Sequence, residues 1–259
     1  MEWYLYLAVV GVGFIAGIIN TLAAGGSLLA LPMLIIPLGI PSTNANAINR
    51  IAILLQNVIA VRRFQQKNVL DLKTDYKIGI PAVIGSLGGA YIASIISAPV
   101  MDAALGIIML IMFGVILIDP KRWVKGSEDR APVSKWGQYL IFFLIGIYGG
   151  FIQAGVGFFL LTGLVLGCGV DLVKANGLKV LIILMYTPIA LIIFIAQDLL
   201  TIQYVLYGLL LALGNMAGAY IGVNIAVKKG AGFLRYMLLA AIFLASLRLL
   251  IPQLISLFS

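Results

Sequence analysis

The sequence predicts an all-α polytopic membrane protein made of two inverted repeats, each a broken re-entrant helix hairpin plus three spanning helices. Three observations carry that prediction. The 259 residues are 63% hydrophobic and 10% charged, with a mean hydropathy of +1.14, whereas a soluble domain runs nearer a quarter charged. Apolar runs recur along the whole length, and two of them are too short to cross about 30 Å of hydrocarbon at about 1.5 Å per residue. The second half of the chain also echoes the first.

Taken in order, the apolar pieces are 3–23, 27–38, 44–64, 78–97, 100–118, 136–154, 157–168, 173–196, 202–226 and 232–256. The opening MEWYLYLAVVGVGF has an acid and no Lys or Arg before its apolar run. A secretory signal needs a basic start, so an uncleaved first membrane helix is expected. That run breaks at Gly25-Gly26 and restarts as the short piece 27–38; a second break precedes the short piece 157–168. A break leaves backbone N–H and C=O groups without helical partners, which lipid tolerates only where they are buried in protein or line a wet cavity. The restarted helix brings free N–H groups and partial positive charge to that depth, which suits an anion. A helix that breaks but still crosses is the alternative to a re-entrant one.

The echo is residue by residue. Gly85-Ser-Leu-Gly-Gly89-Ala-Tyr-Ile92 matches Gly214-Asn-Met-Ala-Gly218-Ala-Tyr-Ile221, and Ala45-Asn46-Ala47 matches Ala175-Asn176-Gly177. Gly13-x-x-x-Gly17-x-x-Asn20 matches Gly146-x-x-x-Gly150-x-x-Gln153. These matches define an N-terminal transmembrane repeat, 1–118, and a C-terminal one, 136–259, joined by the polar linker 119–135, DPKRWVKGSEDRAPVSK. Duplicated halves with a broken helix in the same place are the strongest sequence pointer to a site at mid-membrane.

Charge sets the orientation. With re-entrant hairpins, one side of the membrane collects Arg62, Arg63, Lys67, Lys73 and Lys77, the linker's Lys121, Arg122, Lys125, Arg130 and Lys135, Lys174 and Lys179 of the turn near 170–179, and Lys228, Lys229 and Arg235. The opposite loops 39–43, 97–100 and 197–201 hold no Lys or Arg. Were the broken helices to cross in full, the same charges would divide between the two sides. The positive-inside rule therefore favours inverted halves, with the linker and loop 65–77 cytoplasmic and both termini outside. The net charge of +8 thus speaks of topology and anionic lipid, and no nucleic-acid partner is expected.

Arg50 and Arg248 stand within apolar helices. Arg50 is the seventh residue of its piece, and an Arg at membrane depth costs at least about 2.5 kcal/mol unless partnered. It either snorkels to the headgroups or faces a central cavity and holds an anion. Lys179 aligns beside it in the second half and either plays the matching part or belongs to the positive turn. Asn20, Asn44, Asn46 and Asn49, with Gln153 and Asn176, gather amides around both breaks, and Gln56 and Asn57 lie one to two turns deeper. Such amides often bond neighbouring helices; their clustering at both breaks is what points to a ligand. Gly25, Gly26 and Ser27, and Gly155 and Gly157, allow close backbone approach. The GxxxG pairs at 13/17, 85/89, 146/150 and 214/218/222 read as helix packing.

The chain has no His and one cysteine, Cys168, so zinc and thiol-enzyme sites lack ligands and no cofactor or metal is expected. Its acids, Glu2, Asp71, Asp75, Asp102, Asp119, Glu128, Asp129, Asp171 and Asp198, are placed in loops or at helix ends. General acid–base catalysis therefore has few candidates, and an anion could be driven outward by the membrane potential at about 2.3 kcal/mol per charge per 100 mV.

Gly17-x-x-Asn20-x-x-x-x-Gly25-Gly26-Ser27-x-x-x-x-Pro32, then Gly39-Ile-Pro41-x-x-x-Ala45-x-Ala47 and the later Gly149-Gly150-Phe-x-x-Ala-Gly155-Val-Gly157, resemble the TauE/SafE family of sulfite exporters over nearly the whole chain. The resemblance implies an inner-membrane permease exporting sulfite or a related organosulfur oxyanion. In that reading Arg50 and the half-helix N-termini bind a small anionic substrate, with Asn20, Gly25, Gly26, Ser27, Asn46, Asn49, Gln153, Gly155, Gly157, Asn176 and Lys179 completing the site. Its partners are that anion and the lipid bilayer; a homo-oligomer is compatible with the sequence. Gly-Gly-Ser stands where a third glycine is frequent, and Phe158 follows the second Gly-x-Gly, which leaves the particular anion open. A channel of the same architecture, an intramembrane enzyme and a non-transporting scaffold are the competing functions.

Overall fold

The computed structural model describes residues 3–22, 25–117 and 133–228; most of the linker 119–135, Arg248 and the expected last helix 232–256 lie outside the described residues. Ten α-helices follow in order among the described residues: α1 (Trp3–Leu22), α2 (Ser27–Ile35), α3 (Ser42–Gln66), α4 (Leu72–Asp75), α5 (Ile80–Ile95), α6 (Ala98–Leu117), α7 (Lys135–Phe151), α8 (Val156–Thr162), α9 (Leu172–Ala196) and α10 (Ile202–Lys228). A 3-10 turn, Tyr76–Gly79, joins α4 to α5, and a π turn, Gly163–Gly167, extends α8. No strand occurs among the described residues.

Among the described residues, four stretches are long and apolar enough to cross a membrane: Trp3–Leu22, Leu72–Ile95, Leu172–Ala196 and Ile202–Val227. Helix α3 is as long as α9, 25 residues, but too polar to be counted with them. Its Asn46, Asn49, Arg50, Gln56 and Asn57 are buried, so α3 is an inner helix whose polar side chains meet protein. Both breaks are present: α1 stops at Leu22 before α2 starts at Ser27, and α7 stops at Phe151, sooner than the apolar run suggests, before α8 starts at Val156. Glycine is required at each. Gly155 has φ +75°, and a Cβ on Gly26 would collide with Ala16 O, because α2 folds back onto the end of α1.

The duplication reappears as local chemistry. Helix α3 ends with Asn68 at φ 56° and a bond from Val69 N to Phe64 O; α9 ends with Asp198 at φ 53° and a bond from Leu199 N to Phe194 O. Each is a left-handed helix stop in which the N–H two residues past the cap returns to a carbonyl of the last turn.

The GxxxG faces pair helices from opposite halves of the chain. A Cβ on Gly13 or Gly17 of α1 would meet Leu211 or Asn215 of α10, and one on Gly146 or Gly150 of α7 would meet Ala82 or Ser86 of α5. In return Gly214 and Gly218 lie on Val10 and Phe14, as Gly85 and Gly89 lie on Phe143 and Ile147. The helix before each break, α1 or α7, is thus packed backbone to backbone against a helix from the other half of the chain, the kind of approach that drives association inside lipid.

Candidate functional site

Helices α3 and α9 pack together at the centre, flanked by the two broken elements. A cavity of about 10 Å³ lies between them, lined by Asn20, Ile53, Gln56, Asn57, Gln153, Val156, Gly157, Lys179, Val180 and Ile183. That is room for about one water molecule. Both breaks contribute, Asn20 from the first and Gln153, Val156 and Gly157 from the second.

Two buried cations hold the broken helices. Arg50 of α3 is fully buried; its Nη1 donates to Gly149 O and to Gln153 Oε1, both at 2.6 Å, and its Nη2 to Gly150 O at 2.8 Å. Asn46, one turn earlier, donates to Phe151 O at 2.8 Å. These are the last carbonyls of α7, where the helix leaves acceptors unpaired and carries partial negative charge. Lys179 of α9 does the same for α1: its Nζ donates to Asn20 O at 2.9 Å and Thr21 O at 3.4 Å, and to Asn176 Oδ1 at 2.8 Å. Each cation caps the interrupted helix of the opposite half of the chain. The guanidinium also lies over the Phe194 ring, 5.7 Å from its centroid.

The snorkelling alternative for Arg50 is therefore not what the structure has, and the assignment of Lys179 to a positive surface turn is corrected. At 1% exposure Lys179 is interior, on the third turn of α9. Lys174, five residues back, is the surface residue; it pairs with Asp75 and ties the end of α4 to the start of α9. Asp102, expected in a loop or at a helix end, sits in the second turn of α6, with Oδ1 buried and without a hydrogen-bond partner among the described residues.

The remaining expected residues fall into two layers. Asn20, Gln153, Gly157 and Lys179 line the cavity, as do Gln56 and Asn57. Behind them Gly26 N donates to Asn20 Oδ1 at 2.7 Å, Asn49 donates to Ser27 Oγ at 3.1 Å, and Asn176 accepts from Lys179. Gly25 and Gly155 shape the turns, and Asn44 is remote from the cavity, donating to Leu199 O at the far end of α9. Tyr186 is the residue sequence reading missed. It is fully buried and donates to Gln153 Oε1 at 3.1 Å, and its signal was its repeat alignment with Gln56. No side chain lining the cavity is a carboxylate, and no group of metal-ligating residues occurs among the described residues.

Comparison with known proteins gives one family. The family described as "Sulfite exporter TauE/SafE" matches residues 9–249. The "Probable membrane transporter protein ORF9" of Sinorhizobium sp is 25% identical over 237 residues, covering 92% of this chain and 89% of that protein. The "Probable membrane transporter protein YfcA" of Escherichia coli strain K12 is 29% identical over 245 residues, 92% of this chain and 87% of its own. A "Probable membrane transporter protein" of Haemophilus influenzae is 26% identical over 249 residues, 93% of each. No solved structure matches.

Proposed function

The chain belongs to the sulfite exporter TauE/SafE family, and from that premise we propose that it is a secondary permease exporting a small oxyanion, sulfite or a related organosulfur anion. The anion binds between the repeats at mid-membrane and moves by alternating access. The single observation that carries the reading is a buried cavity, bordered by both helix breaks, that presents a lysine and four amides and no carboxylate. Lys179 supplies the charge the anion touches; Asn20, Gln56, Asn57 and Gln153 supply hydrogen bonds, and Gly157 allows close approach. Arg50 adds its charge from one layer behind. A helix C-terminus offsets about half a unit charge, so the two capped cations leave roughly one net positive charge for an anion to neutralise.

Inverted repeats are supported by which ends meet. Val133 N donates to Gly167 O at 2.9 Å, so the element from α7 to the π turn begins and finishes at one end of the molecule. Tyr6 of α1 stacks on Tyr207 of α10 with centroids 6.2 Å apart, and Asn44 of α3 bonds the loop before α10, so the first broken element begins and finishes at the other. The Lys174–Asp75 pair marks the basic end, which we assign to the cytoplasm. In a background lacking Cys168, a cysteine replacing Lys73 should be labelled only from the cytoplasm and one replacing Thr201 only from outside. Labelling of both from one side would refute the inverted arrangement.

A cavity of about 10 Å³ is too small for an oxyanion, so admitting one requires its walls to part. The backbone-tight pairs α1–α10 and α5–α7 supply the bodies that move, each drawn from both repeats and joined across the centre by the reciprocal caps. Purified protein in vesicles loaded with sulfite is expected to give saturable efflux that sulfoacetate or thiosulfate inhibits, and a panel of the three with sulfate ranks the substrates. Flux rising linearly with concentration would mark a channel instead.

A further inference from the structure

A carboxamide carries a donor at one end and an acceptor at the other, and the groups that hold one end decide which is left for a ligand. Two hydrogen-bond chains reach the cavity, and each begins at a group that can only donate. In the first, Gly26 N–H donates to Asn20 Oδ1 at 2.7 Å, and Asn20 Nδ2 donates to Gln56 Oε1 at 3.0 Å. In the second, Arg50 Nη1 at 2.6 Å and Tyr186 Oη at 3.1 Å both donate to Gln153 Oε1. A backbone N–H and a guanidinium have no lone pair to offer, so neither chain can run backwards. Both glutamines line the cavity, and neither Nε2 has a protein partner among the described residues.

The repeats reach this result by different routes. Asn20 aligns with Gln153 and Gln56 with Tyr186. In the first repeat the residue on the long inner helix accepts, and in the second it donates. The polarity at the cavity is nevertheless the same, because the second chain is driven by Arg50, which belongs to the first repeat. Of the amides lining the cavity, Asn57, with both amide atoms buried and unpartnered among the described residues, is the one left free to turn.

We propose that Arg50, with Tyr186, is a positioning residue that fixes the polarity of the site. It pins the carbonyl of Gln153 so that its NH2 end faces the ligand, as Gly26 through Asn20 does for that of Gln56, and the cavity selects an oxyanion face of bare acceptor oxygens over one bearing a hydroxyl. This deepens the anion-permease reading and rests on it.

The test is Gln153→Glu. The substitution keeps size, gives Arg50 a carboxylate partner and replaces the donor end by an acceptor. Thermal unfolding of the purified variant should match or exceed wild type. Sulfite should no longer raise its melting temperature, and vesicle efflux should fall about 100-fold, the scale of losing a charge-assisted hydrogen bond and gaining a repulsive one. Tyr186→Phe, which removes one donor at constant bulk, should raise KM about threefold to tenfold with kcat unchanged. Arg50→Lys, which keeps a donor for Gln153, should retain more sulfite affinity than Arg50→Met. Wild-type vesicles without saturable efflux would overturn the permease reading itself. Saturable wild-type efflux together with an unchanged KM in Gln153→Glu would overturn the polarity assignment alone. Should that variant not fold, an unchanged KM in Tyr186→Phe, or equal KM for the two Arg50 variants, has the same force.

Discussion

Lys179→Met is expected to lower sulfite efflux from vesicles about 100-fold while the protein remains folded and extractable. The ammonium is the cation lining the cavity, and a charged hydrogen bond to a buried ligand contributes about 1.5–3 kcal/mol, which alone accounts for a factor of ten to over a hundred. Methionine has nearly the same length and no charge to desolvate, and exchanging a buried charge for an apolar side chain of like volume is often close to neutral for stability. Against that, Asn20 O, Thr21 O and Asn176 Oδ1 each lose a donor, at a cost of about 1 kcal/mol apiece. A modest drop in melting temperature is therefore expected beside a large drop in efflux. The opposite pattern, a badly destabilised protein whose folded fraction exports sulfite within about threefold of wild type, would make Lys179 a cap for α1 and nothing more.

The contrast between Lys179 and Arg50 shows what the sequence could and could not convey. Residue type and repeat position were enough to single both out, because a cation within an apolar helix is costly and needs a reason. Which of them a ligand would touch was not legible. Arg50 is the longer side chain and reaches past the cavity to the end of α7, whereas Lys179 stops at its edge. The charge rule also drew Lys179 into the surface turn beside Lys174, since counting loops cannot see that a third-turn residue faces inward. The glycine pairs were read correctly as packing faces, but a GxxxG pair carries no address. That α1 lies on α10 and α5 on α7, each pair joining the two halves of the chain, depends on three-dimensional threading that periodicity does not encode. The breaks were legible because glycine is required where α2 turns back on α1 and where Gly155 takes a left-handed conformation. Amide direction was beyond reach, since it depends on atoms of residues far apart in sequence, such as Arg50 and Gln153.

The crossed packing yields the second large effect, from neighbouring glycines of one helix. A Cβ added at Gly89 would collide with Ile147 O and lie 2.8 Å from Phe151 N, both backbone atoms of α7, whereas one added at Gly88 has nothing within 4 Å. Backbone cannot rotate aside as a side-chain tip can, so Gly89→Ala must push α5 off α7. Overpacking of this kind costs about 1–3 kcal/mol, and more where the contact cannot yield. Gly88→Ala instead gains about 1 kcal/mol of helix propensity. Thermal unfolding in detergent should therefore separate the two variants by several degrees, with Gly88→Ala at or above wild type. Gly218→Ala should behave as Gly89→Ala does, since its Cβ would meet Phe14 O and Ile18 N of α1 in the same way. Equal melting temperatures for the Gly88 and Gly89 variants would mean that α5 and α7 are not in backbone contact. The consequence also reaches the site. Helix α7 carries Gly149 and Gly150, the acceptors of Arg50, and leads directly into Gln153. Whatever fraction of Gly89→Ala folds should therefore bind sulfite less tightly, while Gly88→Ala keeps its affinity. The same substitution would then weaken the fold and the anion site through one displaced helix.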